Sequence, residues 1–306
     1  MSGLAILCPG QGGQHPAMLD LALGSERGEE VVRRAAAALG EDPIARVRGA
    51  GAGLFANSVQ PLVCLAELAT WAALREALPV PLVFAGYSLG ELAAYGCAGA
   101  LAPEETVALA VRRAELMDAA TPPGSGLLAL RGLPLARAAA LATEAGAEIA
   151  IVNGPDHWVA GGTGAALDLL ERRAPGAGGI AIRLPVCVPA HTRFLAAAVA
   201  PFADALARSR LADPPIPVLA GVSGALVRRR AEAIAALSAQ IGQRLEWARC
   251  LAAAAEMGCT VFLELGPGSA LAKMASETLP EGAARSVAEF RTLAGVARWV
   301  ASALRR

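Results

Sequence analysis

The chain has 306 residues, enough for one large domain or two modest ones. Hydrophobic residues make up 55% and charged residues 18%, which supplies a sizeable core and excludes wholesale disorder. Lys and Arg together number 27, as do Asp and Glu, and aromatics are only 4%; the basic excess and stacking surface of a dedicated nucleic-acid binder are both missing.

Lys273 is the one lysine, every other basic side chain (histidine aside) being arginine. The cysteines are scattered through apolar runs with no CxxC pair, so neither a zinc site nor a redox motif is expected. Residues 79–103 are apolar but broken by Glu91 and several glycines, short of the ~20 uninterrupted residues of a membrane span. No basic region precedes the first apolar run, so no signal peptide is read. A cytoplasmic protein with no membrane partner is expected.

In chain order, a strand is expected at 4–8, helices at 31–39 and 61–78, a strand at 82–85 and a helix at 104–119. Then the rhythm changes. Between Pro122-Pro123-Gly124 and Pro185 come strand 127–130, helix 135–145, strands 149–152 and 158–161, helix 165–173 and strand 180–184. The order βαββαβ is the ferredoxin-like motif. Beyond it lie helix 192–208, strand 218–222, helix 231–241, strand 261–265 and helix 293–304. The alternation predicts an α/β fold with a largely parallel sheet, formed by 1–123 and 187–306, carrying a small subdomain at 124–186.

Gly86-Tyr87-Ser88-Leu89-Gly90 follows an apolar strand and precedes a helical run, so G-x-S-x-G stands in a strand–turn–helix setting. Glycines permit the tight turn that lifts a serine hydroxyl clear of the sheet, and the helix N-terminus favours developing negative charge there. Such a serine needs a base, and there are three histidines. His15 follows a glycine-rich loop, His157 falls between two short strands of the insert, and His191 lies where the chain re-enters the large domain. His191 is favoured, because domain interfaces commonly hold sites; a satisfied core histidine is its alternative. The loop Cys8-Pro9-Gly10-Gln11-Gly12-Gly13-Gln14 lacks both the P-loop ending and the dinucleotide spacing, leaving Gln11 as a candidate for an oxyanion hole. On helix 104–119, the neighbours of Arg113 three and four residues away are Leu109, Ala110, Leu116 and Met117, all apolar. Arg113 therefore points inward and needs an anion, either a protein carboxylate or a bound ligand.

Together these residues resemble the malonyl-CoA:acyl-carrier-protein transacylase family over nearly the whole chain. The resemblance rests on Pro9-Gly10-Gln11-Gly12, the elbow through Glu91, Arg113 with Met117, Asn153-Gly154-Pro155 and Val188-Pro189-Ala190-His191. Gln240, seven residues before Trp247, and Glu264-Leu265-Gly266-Pro267-Gly268 complete it. It implies a hydrolase-like α/β domain with a ferredoxin-like insert, and a dyad of Ser88 as nucleophile and His191 as base. It further implies that the backbone carbonyl of Gln240 orients His191, and that the N–H groups of Gln11 and Leu89 form the oxyanion hole. Arg113 would clamp the malonyl carboxylate, and Asn153 would belong to the substrate site. The implied reaction moves malonyl from malonyl-CoA to the thiol of an acyl-carrier protein through a malonyl-serine, with CoA as product and no permanently bound cofactor or metal.

Tyr87 stands where the general fatty-acid enzymes usually carry histidine, Gly13 where serine is common, and Arg244-Leu245-Glu246-Trp247 in place of a Pro-Val-Arg-Trp-like run. The loop after the first strand, the Gly-Tyr-Ser-Leu-Gly elbow and the length look most like the epsilon subunits of malonate decarboxylases, whose carrier subunit bears a phosphoribosyl-dephospho-CoA arm. The alternatives are a general transacylase of fatty-acid or polyketide synthesis, a serine hydrolase or thioesterase, and a non-catalytic scaffold. Arg228-Arg229-Arg230 and Arg172-Arg173 are candidates for docking an acidic carrier, against ordinary solvated faces.

Overall fold

In the computed structural model, which describes residues 2–305, β1 (Gly3–Cys8) leads into α1 (Glu26–Leu39), α2 (Pro43–Gly49) and α3 (Gln60–Leu74). Then come β2 (Val83–Gly86), α4 (Leu89–Cys97) and α5 (Pro103–Ala120). The next stretch holds β3 (Gly126–Arg131), α6 (Leu135–Ala145), β4 (Glu148–Val152), β5 (His157–Gly162), α7 (Gly164–Arg173) and β6 (Ile180–Arg183). It is followed by α8 (Ala196–Arg208), β7 (Val218–Leu219), β8 (Leu226–Val227), α9 (Arg230–Gly242) and α10 (Trp247–Glu256). The chain finishes with β9 (Cys259–Glu264), α11 (Ala270–Thr278), β10 (Ala283–Ser286) and α12 (Leu293–Ala303).

β1 is apolar throughout and buried at all six positions, as a strand covered on both faces must be. It sits inside a six-stranded sheet of order β10-β9-β1-β2-β7-β8, parallel except for the short antiparallel β8. Its register with β2 pairs Cys8 with Gly86, so both strands end level and the loops that follow lie side by side. Tyr87 N donates to Cys8 O at 2.9 Å just beyond that pair. Loops at the carboxyl edge of such a sheet are where ligands gather.

The second sheet is antiparallel, in the order β4-β5-β3-β6, and carries α6 and α7 on one face. Because side chains alternate along a strand, Leu128, Leu130 and Trp158 pack under those helices, while Leu127, Ile151 and Val159 join Trp247 and Leu251 in the core shared with the large sheet. The segment after α9 ties the two sheets together. Leu245 N donates to Ala150 O at 2.9 Å, Val152 N donates to Leu245 O at 2.8 Å, and Glu246 N donates to Gly221 O at 2.8 Å. The α/β frame and its βαββαβ subdomain are those expected.

Several elements differ from expectation. The strand at 218–222 shortens to Val218–Leu219, because the backbone of Gly221 leaves the ladder to bond Glu91 and Glu246. Helix 61–78 stops at Leu74, a few residues before Pro79, near which the helical conformation is disfavoured. Helix 192–208 starts only at Ala196, after a 3-10 turn over Arg193–Leu195. Helices α2, α10 and α11 and strands β8 and β10 were not anticipated. Among the described residues, no helix is long and apolar enough to cross a membrane, and no cluster of metal-ligating side chains occurs.

Candidate functional site

Ser88 sits between β2 and α4 at φ 56° and ψ −115°. Ser88 and His191 (φ 64°) are the only non-glycine residues with positive φ among those described. Each such conformation costs roughly 1–3 kcal/mol, so tertiary contacts must hold both. The elbow glycines allow the close fit: a Cβ on Gly90 would lie 2.0 Å from Cys8 O, and one on Gly86 2.1 Å from Glu91 N.

His191 is buried, and the end of α9 grips it at two points. Its backbone N donates to Ile241 O at 2.9 Å, and its Nδ1 meets the Gln240 carbonyl oxygen. A carbonyl only accepts, so Nδ1 carries the proton and Nε2 is left as the acceptor, 2.7 Å from Ser88 Oγ. Burial, and then the nearby Arg113 charge, push His191 down to about 3 against the opposing pull of the Gln240 carbonyl. The imidazole is therefore neutral and ready to take a proton at ordinary pH. Acyl-enzyme formation should accordingly stay flat from about pH 7 down to about pH 5 in single-turnover measurements. A half-loss at the ordinary histidine value of ~6.5 would instead mean a solvated imidazole.

Arg113, on the inward face of α5, is 2% exposed. Its Nη1 donates to Gln60 Oε1 at 2.7 Å and its Nη2 to Gln240 Oε1 at 3.1 Å, with Ser88 Oγ 3.4 Å from Nη2. Both firm partners are neutral amides, and Arg113 makes no ion pair among the described residues. The adjacent Arg112 pairs with Glu115 at the surface. Burial lowers Arg113 only to about 10, so it remains a cation. A buried, unneutralised guanidinium beside a serine hydroxyl is a preformed seat for an anion.

These groups share a cavity of about 520 Å³ at the seam between the two sheets. Ser88, Arg113, His191, Gln11 and Asn153 line it, with Leu127, Ile151 and Val159 forming an apolar wall. Leu89 opens α4, and neither its N–H nor that of Gln11 meets an acceptor among the described residues. Asn153 is 4% exposed; its Nδ2 lies 3.4 Å from His157 Nε2, while its Oδ1 has no partner among the described residues. His157 stands farther along the same cavity, beside Arg131, and exposed His15 borders a different one. Gly13, unexpected in place of serine, is required by packing: a Cβ there would lie 2.2 Å from Pro267 O. Gly266 likewise leaves room for Pro9, so the two glycine-rich motifs are packed face to face.

Three polar residues of this region make contacts to which the sequence reading assigned no role. Gln60 holds Arg113, Glu91 holds Gln240, and Glu264 accepts from Ala272 N at 2.8 Å at the start of α11 while lining the cavity. A glutamine opening the apolar run Gln60-Pro61-Leu62-Val63-Cys64-Leu65 was the available signal for the first, which the structure fully buries. The arginine clusters proposed for docking do not line the cavity. Arg229 pairs with Asp213, Arg230 donates to Leu211 O and Ala207 O, and Arg173 pairs with Glu144.

An α/β frame that brings a serine, a neutral histidine and a cation without an ion pair among the described residues to one cavity defines an enzyme of the acyl-transfer class. The chain belongs to the acyl transferase domain family, whose model matches residues 6–299. The malonyl CoA-acyl carrier protein transacylase of Salmonella typhimurium is 31% identical over 282 residues, covering 89% of this chain and 91% of that protein. The structure of the malonyl CoA-acyl carrier protein transacylase from Coxiella burnetii matches with a TM-score of 0.93 at 28% identity, over 99% of this chain and 98% of that one. A malonyl-transacylase solved in complex with a type II polyketide synthase acyl-carrier protein gives a TM-score of 0.92 at 26% identity, over 97% of this chain and 99% of that one.

Proposed function

We propose that this acyltransferase moves a malonyl group from malonyl-CoA to the thiol of an acyl-carrier protein. The observation that carries the reading is Arg113, a buried cation without an ion-pair partner among the described residues, 3.4 Å from Ser88 Oγ. An acyl chain ending in a carboxylate supplies the missing charge, whereas an acetyl group does not. The names of the relatives point to the same substrates.

In the first half-reaction Ser88 Oγ attacks the thioester carbonyl while its proton passes to His191 Nε2. The N–H groups of Gln11 and Leu89 receive the oxyanion. The tetrahedral adduct collapses, the C–S bond breaks, and the departing CoA sulfur takes the proton from His191. The second half-reaction reverses the roles: the carrier thiol gives its proton to His191 and attacks the malonyl-Ser88 ester, the C–O bond breaks, and Ser88 Oγ takes the proton back from His191 Nε2. Asn153, which lines the cavity, is assigned to the binding of the arm that delivers the acyl group.

The carrier in this reading is the malonate decarboxylase carrier subunit, with its phosphoribosyl-dephospho-CoA arm. The Gly86-Tyr87-Ser88-Leu89-Gly90 elbow and the Cys8–Gln14 loop, which resemble those of malonate decarboxylase epsilon subunits, support it. A general transacylase is the second reading, favoured by the names of the relatives. An acceptor assay separates them. Incubation with labelled malonyl-CoA should transfer label to a carrier bearing the ribosylated arm faster than to one bearing plain phosphopantetheine. The reverse order selects the general enzyme, and release of free malonate equally fast without any thiol selects a hydrolase.

A further inference from the structure

The amide of Gln240 has a fixed direction, although an amide is nearly symmetric in shape. Its Oε1 accepts from Arg113 Nη2 at 3.1 Å, while its Nε2 donates to Ser88 O at 2.9 Å and to Glu91 Oε2 at 3.1 Å. The same residue's backbone carbonyl meets His191 Nδ1, so one glutamine touches nucleophile, base and cation. Glu91 is 0% exposed and reaches neither cavity nor reacting atoms. Gly221 N donates to its Oε2 at 3.1 Å, and a Cβ on Gly221 would come within 2.7 Å of that oxygen, so the carboxyl is held by a close-fitting glycine.

We propose that Glu91 is a positioning residue: it sets which way round the Gln240 amide stands, and through it where the Arg113 guanidinium points. This rests on the malonyl-transfer reading and assigns malonyl selectivity partly to a side chain that never meets the substrate. When an acyl carboxylate draws on Arg113, Gln240 keeps its orientation only through Ser88 O and Glu91. With Glu91 lost, Ser88 O alone holds the NH₂ end while the substrate draws on Arg113, and any turn of the amide sets its NH₂ against the guanidinium and its oxygen against the Ser88 carbonyl.

The charged and titratable groups facing Glu91 are Arg113 from α5, Tyr95 on its own helix and Cys250 from α10. Burial raises Glu91 to about 8 and keeps the Tyr95 and Cys250 protons on. Above that point Glu91 ionises and its charge competes for Arg113.

The test measures acyl-enzyme formation from malonyl-CoA and acetyl-CoA at about pH 7 in native protein, E91M and E91Q. E91M, which removes the acceptor, should lose ~10–100-fold in kcat/KM for malonyl-CoA with acetyl-CoA changed less than about threefold. E91Q restores an acceptor at the same place and should recover malonyl-CoA to within about threefold of native. Equal losses for both acyl groups, no loss at all, or failure of E91Q to rescue overturns the assignment. If E91M does not unfold cooperatively, pH decides: KM for malonyl-CoA should rise several-fold between about pH 7 and about pH 9 in native protein and stay level in E91Q. The same rise in both overturns the proposal. Native protein that takes up no malonyl at all removes the parent reading instead, an outcome separate from any behaviour of the variants.

Discussion

Ser88→Ala is expected to leave the fold intact and to abolish capture of labelled malonyl by the protein, with transfer falling at least ~10³-fold. The substitution deletes one oxygen. Alanine meets the same backbone penalty at φ 56° as serine, so the strain at the elbow is little changed. What disappears is the atom 2.7 Å from His191 Nε2. Measurement of label on denatured protein, with unfolding temperature as a control, checks it. Label that persists in the alanine variant would move the nucleophile to another side chain.

Arg113→Ala is expected to separate malonyl-CoA from acetyl-CoA. Loss of a buried charge contact costs about 2–5 kcal/mol, which corresponds to roughly 30- to 4,000-fold in kcat/KM for malonyl-CoA. Acetyl-CoA carries no carboxylate and forfeits nothing at this position. The variant also lacks the positive charge that helps hold His191 down, so its imidazole becomes more basic and acetyl transfer should hold steady or rise. Parallel rates for the two substrates, with a melting curve showing retained fold, decide the matter. Equal losses for both would rule out a carboxylate clamp. Gln60 and Gln240 each lose a donor, so lower thermal stability is expected alongside.

The legible parts of this protein were those written locally. Ser88 stood out because strand, turn and helix signals meet within ten residues, and Arg113 because its helical neighbours are apolar. The βαββαβ order was readable from proline and glycine punctuation. The base was not decidable from periodicity alone: His191 and Ser88 are 103 residues apart, and only folding brings them within 2.7 Å. Gln240, 152 residues from Ser88, owes its place to a backbone carbonyl that carries no side-chain signal, and it entered through family resemblance. α10 hid for a different reason. Trp247, Cys250, Leu251 and Ala254 do form a buried stripe, but the intervening alanines blur the contrast on which periodicity depends. β10 has only its last residue buried and lies at the sheet edge, where hydrophobic patterning is weakest.

The stitching of Leu245 to Ala150 and Val152 makes the roof of the cavity asymmetric. β4 is clamped to the segment that follows Gln240, while β6, at the opposite edge of the same sheet, exposes Ile180 and Ile182 to solvent. Rotating the roof as a rigid plate without breaking those bonds requires a pivot along β4, with the greatest travel at β6.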